Sequence, residues 1–87
     1  ILYYFTATWC KPCQMIAQEI LDLSEKYNDT VSFFKIDISN DDNDEICKKC
    51  LIESVPSFLL FKDREFIERV TGSNISKVEQ LINTKCI

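Results

Sequence analysis

The apolar positions of this chain come in short runs, and their spacing alternates between strand and helix. Ile1-Leu2-Tyr3-Tyr4-Phe5 is continuous, β-branched and aromatic, which predicts a buried strand over residues 1–6. Ile16, Ile20, Leu23 and Tyr27 then recur every three or four residues, the stripe of a helix over 10–27. Val31-Ser32-Phe33-Phe34-Lys35-Ile36-Asp37 predicts a second strand, and its adjacent Phe33 and Phe34 imply burial on both faces. Strand, helix and strand in succession make a right-handed crossover with parallel strands. The polar run 39–45 is a loop whose acids favour the start of a short helix, 42–52, with Ile46, Cys47, Cys50 and Leu51 on one face. Ser54-Val55-Pro56-Ser57 breaks that helix. The apolar strand 57–61, a turn at 62–65 and a strand at 66–70 form an antiparallel hairpin. Thr71-Gly72-Ser73 leads into a last helix, 74–85, whose apolar face is Ile75, Val78, Leu81 and Ile82. The order is βαβαββα, an α/β arrangement.

Composition narrows the function classes. Eighty-seven residues make one small domain, 1–87. A net charge of −4 without a basic block argues against nucleic acid as a partner. No apolar run approaches the ~18 residues of a membrane-spanning helix. No signal-peptide pattern is visible, although a chain opening on Ile1 leaves a removed leader open. Five cysteines, an odd number, fit a reducing compartment better than a disulfide-stapled secreted scaffold. The expected location is therefore cytoplasmic.

The chemistry concentrates at Trp9-Cys10-Lys11-Pro12-Cys13. This segment lies on the predicted strand-to-helix turn, with Cys10 exposed at the helix start. Free backbone N–H groups there favour an anion, and a thiolate is such an anion. Lys11 adds a positive charge. Cys13, three residues on, can reach the sulfur of Cys10 and close a small disulfide. A bare Cys-x-x-Cys also reads as half of a zinc site. Asp37 onward mimics a calcium loop, but Asp42 stands where the loop needs glycine and Lys48 where it needs its closing glutamate. Asn28-Asp29-Thr30 and Asn74-Ile75-Ser76 match a glycosylation acceptor but read as turn and cap chemistry.

With its strand before and helix after, the Trp-Cys-Lys-Pro-Cys segment resembles the redox site of the thioredoxin family. The likeness extends over the chain through Met15-Ile16-Ala17, Lys35-Ile36-Asp37-Ile38, Val55-Pro56-Ser57 and Gly72. It implies a thioredoxin-like fold: a four-stranded mixed sheet, ordered second, first, third, fourth strand, with helices on both faces. The family's additional N-terminal strand and helix are lacking, which places the second strand at a sheet edge. The resemblance further implies a protein disulfide reductase. In it Cys10 attacks a substrate disulfide and Cys13 resolves the mixed disulfide. Trp9 walls the site, Lys11 favours the thiolate, and Pro12 restricts the backbone between the cysteines. Pro56 is implied to be cis, Val55 to offer backbone groups to an extended substrate, and Gly72 to allow close approach. No cofactor beyond the Cys10–Cys13 disulfide is implied. The implied partners are protein disulfides and a reductase as electron donor, thioredoxin reductase in the family's usual pattern. A monomer is expected.

Four departures carry weight. The family's buried aspartate, six residues before the nucleophile, is Tyr4. Tyrosine is a poor base at neutral pH, so Tyr4 either packs in the core or tunes proton transfer, with Lys35 nearby as a second candidate. The family's kink-forming proline is Gln18, which predicts a straighter first helix. Arg64 replaces the hairpin glycine, which predicts a different turn type. Cys47-Lys48-Lys49-Cys50 is a second Cys-x-x-Cys, read as structural, and Cys86 is free to pair between chains. Two rival functions stay open: a non-catalytic zinc- or partner-binding module, the zinc held through Cys10, Cys13, Cys47 and Cys50, and a glutathione-linked, glutaredoxin-like reductase.

Overall fold

The computed structural model describes residues 1–86. Strands β1 (Leu2–Thr6), β2 (Phe33–Asp37), β3 (Ser57–Lys62) and β4 (Glu65–Thr71) form one sheet in the order β2-β1-β3-β4. β1 pairs with β2 in parallel and with β3 antiparallel, and β3–β4 is a hairpin. The helices are α1 (Lys11–Met15), α2 (Ala17–Lys26), α3 (Asp44–Lys49) and α4 (Ile75–Lys85), with a 3-10 turn at Asp41–Asn43.

Strand alternation divides the core into two layers. Leu2 and Tyr4 of β1 and Phe58 and Leu60 of β3 face α2 and α4, meeting Ile16, Ile20, Leu23, Val78, Leu81 and Ile82. Phe5, Ile36 and Leu59 face the opposite side and pack under Ile46, Cys47 and Cys50 of α3 and its C-terminus. Helices therefore cover both faces of the sheet. The α2–α4 layer is tied at its rim, where the Tyr27 hydroxyl donates to Glu79 (2.7 Å) and lies 3.1 Å from the Asn83 side-chain oxygen, and Lys26 pairs with Glu79 at 2.7 Å. Asn74 caps α4 by accepting from the Lys77 N–H, so this asparagine serves the helix start.

Four sequence expectations are corrected. The helix expected over 10–27 is not one straight rod: it breaks at Ile16 (φ −100°, ψ 2°) into α1 and α2 without any proline. At this break the Tyr4 hydroxyl donates to the Cys13 carbonyl at 3.4 Å, a side chain entering the ladder, which is one recognised cause of a helix break. β2 is not buried on both faces, because it is an edge strand and Phe34 stays 49% exposed. The helix expected over 42–52 is a 3-10 turn plus the short α3. Leu51 does not join its buried face, because it takes φ 54° and turns outward. Its N–H donates to the Lys48 carbonyl and that of Ile52 to the Cys47 carbonyl, a Schellman closure with leucine where glycine is usual. The hairpin keeps the turn that a glycine would favour: Asp63 (φ 53°) and Arg64 (φ 69°) are both left-handed, as a two-residue type I′ loop requires.

Candidate active site

β1 ends at Thr6, and Ala7–Trp9 carry the chain to Cys10, the N-cap of α1. Cys10 is extended (φ −85°, ψ 105°), and its sulfur accepts a hydrogen bond from the Cys13 N–H at 3.2 Å. A capping residue usually offers oxygen to this donor, and here sulfur takes that place. Pro12 stands in the first turn, where its missing N–H costs nothing. Gln14 reaches back from the same turn and donates to the Ala7 carbonyl at 3.1 Å, fixing the loop that carries the cysteine. The two sulfurs are joined as a disulfide, with the Cα atoms 5.3 Å apart.

Cys10 is less exposed than its position at a helix start suggests. It is 4% exposed and Cys13 1%, because Ala7, Ile38 and Val55 close around them. Trp9 stands beside Cys10, 69% exposed, and Lys11 and Pro12 are exposed as well. The Val55 carbonyl oxygen lies 3.8 Å from the Cys10 sulfur. The Val55–Pro56 bond is cis. The Gly72 N–H donates to the Pro56 carbonyl at 2.9 Å, so Gly72 stands beside the same loop. At φ 98°, Gly72 adopts a backbone that a side chain would strain.

Tyr4 and Lys35 stand on the Cys13 side of the site. Both line a cavity of ≈ 360 Å³ that also touches Thr6 and Cys13. Burial raises the Tyr4 phenol above its ordinary value, with the Thr6 hydroxyl partly opposing. Three features of the site escaped the sequence reading: Gln14 on Ala7, Thr6 in the cavity wall with Cys13, and Thr8 with Ser39 at 3.3 Å. Of these only Thr6 left a signal, by sharing the strand face of Leu2 and Tyr4.

The second Cys-x-x-Cys does not join this site. Cys47 and Cys50 pack in the α3 layer, Cys10 and Cys13 in their own cluster. Among the described residues no three cysteine or carboxylate side chains converge as a metal site. The four-cysteine zinc arrangement is thus not assembled.

A disulfide whose Cys10 sulfur accepts a backbone N–H, beside an exposed tryptophan and a cis-proline loop on a β2-β1-β3-β4 sheet, invites comparison with known proteins. The family model described as Thioredoxin matches residues 1–84. The chain belongs to the thioredoxin family. It is 38% identical over 79 residues to thioredoxin of Ovis aries, covering 91% of this chain and 72% of the relative. It is 39% identical over 82 residues to thioredoxin AMT13 of Alternaria alternata, covering 94% and 67% respectively. The crystal structure of thioredoxin NaTrxh from Nicotiana alata superposes with a TM-score of 0.91 at 34% identity, covering 99% of this chain and 72% of that one. Reduced Schistosoma mansoni thioredoxin pre-protein superposes at 0.87 with 38% identity, covering 99% and 77%. With this family and its bonded Cys10–Cys13 pair, the chain is a thiol-disulfide oxidoreductase. As a thioredoxin-family protein its general partners are protein disulfides and a reductase.

Proposed function

We propose that residues 1–87 act as one monomeric domain that reduces disulfides in extended protein segments, drawing electrons from thioredoxin reductase. The carrying observation is the Cys13 N–H aimed at the Cys10 sulfur, with the Val55 carbonyl 3.8 Å from that same sulfur. In the reduced state that N–H favours negative charge on Cys10, since hydrogen bonds to charged groups are the strong ones. Cys10 is the nucleophile. Its thiolate attacks one sulfur of the substrate disulfide, and the other sulfur leaves as a thiolate that takes up a proton. Cys13, deprotonated, then attacks Cys10. The intramolecular disulfide forms and the second substrate sulfur leaves with its electron pair.

The rim residues orient the substrate. The backbone of Val55 pairs with an extended segment as an added strand, Trp9, Pro12 and Pro56 wall the groove, and Gly72 leaves room for the chain. Lys11 contributes at most about 1 kcal/mol to the thiolate, because it is solvated. Three further cysteines, Cys47, Cys50 and Cys86, stand free and half-buried, which supports work in a reducing, cytoplasmic setting as an electron carrier. Reduction of insulin, with electrons supplied by thioredoxin reductase or by glutathione, tests the reading. Turnover with the first donor and little with the second is expected. The reverse would favour the glutaredoxin-like alternative.

A further inference from the structure

We propose that Tyr4 is a positioning residue for the resolving cysteine, and that the proton of Cys13 leaves to solvent through the cavity beside Tyr4, without a fixed base. This rests on the reading that Cys10 and Cys13 form the redox couple. The Tyr4 ring has little freedom. It is 5% exposed and stacks on the fully buried Phe58, with centroids 5.0 Å apart and planes 11° apart. Its hydroxyl is thereby held at the Cys13 carbonyl, 3.4 Å away. That carbonyl belongs to the five-residue α1, whose last carbonyls lack partners within the helix. A buried carbonyl needs a donor, and Tyr4 supplies it. The position of the Cys13 backbone, and so the reach of its sulfur to Cys10, is set from β1 through this hydroxyl.

The proton path follows from the groups around Cys13. The ≈ 360 Å³ cavity touches Cys13, and its outer wall includes Leu21 (52% exposed) and Phe34 (49% exposed), so it opens to water. Of the titratable side chains besides Cys13, β1 contributes the Tyr4 phenol and β2 the Lys35 side chain; Lys11 of α1 lies outside the cavity wall, and no carboxylate lines it. A phenol raised by burial stays protonated at neutral pH and cannot take the thiol proton. Water in the cavity takes it instead. The Cys13 thiolate then attacks the Cys10 sulfur of the mixed disulfide, the Cys10–Cys13 bond forms and the Cys10–substrate bond breaks. The substrate sulfur leaves with the electron pair and is protonated from water. The substrate disulfide gains two electrons, and the protein dithiol loses them.

The test is stopped-flow reduction of a disulfide-bonded peptide in excess, using the reduced protein. The phase that rises with peptide concentration reports attack by Cys10, and its plateau reports resolution by Cys13. Tyr4→Phe keeps the stacked ring and removes the hydroxyl. The plateau should fall about three- to tenfold, the range for one lost hydrogen bond, while the concentration-dependent slope moves less than about twofold. The pH midpoint of the plateau should match the parent's. Site-specific 3-fluorotyrosine at position 4 keeps the hydroxyl and makes the phenol more acidic; its plateau and midpoint should stay with the parent. An unchanged plateau in Tyr4→Phe overturns the positioning role, as does a slope that falls in step with the plateau. A midpoint that follows the fluorinated phenol overturns the solvent path. No reaction of the peptide with the parent protein would instead overturn the redox reading itself.

Discussion

Replacing Arg64 by glycine should stabilise this protein. Asp63 and Arg64 both hold positive φ in the two-residue loop between β3 and β4, and the Arg64 side chain is exposed. A left-handed backbone costs a non-glycine residue about 1–2 kcal/mol, because its Cβ crowds the following carbonyl. Glycine removes that cost but adds about 0.4–1 kcal/mol of unfolded-chain entropy. Little burial is lost with a solvated arginine, so the net gain is about 0.5–1 kcal/mol. For a domain of this size that raises the Tm by about 2–8 °C. Arg64→Ala is the control: it removes the same side chain and keeps the Cβ, so its Tm should stay near the parent's. Calorimetry of the three proteins at one pH, with urea unfolding for ΔG, reads both effects. If Arg64→Gly is no more stable than Arg64→Ala, the loop is not strained at this position and the assignment of its turn type fails. Because the loop is remote from Cys10, insulin reduction should be unchanged in both variants.

Cys10→Ser should abolish disulfide reduction, and Cys13→Ser should accumulate a covalent complex with substrate through Cys10, seen by intact mass. With limiting iodoacetamide on the reduced protein, Cys10 should be alkylated before Cys47 and Cys50 despite their greater exposure; the opposite order would show that access, not thiolate character, governs reactivity. Lys26 first, then Tyr27, hold the Glu79 carboxyl below its ordinary value. Its contribution is therefore present above the unfolded pKa and lost as pH falls through the lower folded one. Lys26 is shifted upward by Glu79, so its share is present below its unfolded pKa and lost as pH rises through the folded one. Glu79→Gln should accordingly flatten the acid limb of a Tm-versus-pH curve and leave neutral activity alone. Phe58→Ala deletes a fully buried ring beneath Tyr4 and should cost about 3–5 kcal/mol in urea unfolding.

Much of this molecule is legible in its sequence, for reasons that differ by element. The stripe of Ile16, Ile20, Leu23 and Tyr27 and that of Val78, Leu81 and Ile82 are long enough to fix which face each helix buries. Sheet order and the cis bond before Pro56 came with the family likeness, which spacing alone does not supply. What escaped depends on partners distant in the chain. Phe34 looks like a core residue until its strand is known to be the edge of the sheet among the described residues, where it stays 49% exposed. The break at Ile16 has no local breaker; its partner is a hydroxyl from β1. Leu51 sits at a helical repeat, yet the backbone of α3 closes one residue earlier, and Arg69 from β4 donates to the Cys50 and Leu51 carbonyls at that end.

The two Cys-x-x-Cys segments show why spacing does not make a redox site. Both place thiols three residues apart, and both touch a helix terminus. Cys10 begins α1, where a free N–H, that of Cys13, points at its sulfur. Cys50 ends α3, where the free backbone groups are carbonyls, and an arginine has come to satisfy them. A sulfur at the first kind of end gains by becoming negative, and at the second it does not. Surroundings reinforce the difference. Burial, then Asp44 and Cys50, push the Cys47 thiol up; burial pushes Cys50 up, with Arg69 only partly opposing. The second pair is thus pushed toward the protonated form on α3 and its C-cap, while the first is bonded in a site that Trp9 and the Val55 carbonyl flank. Backbone polarity at the helix end, not the interval between cysteines, assigns chemistry to one pair and structure to the other.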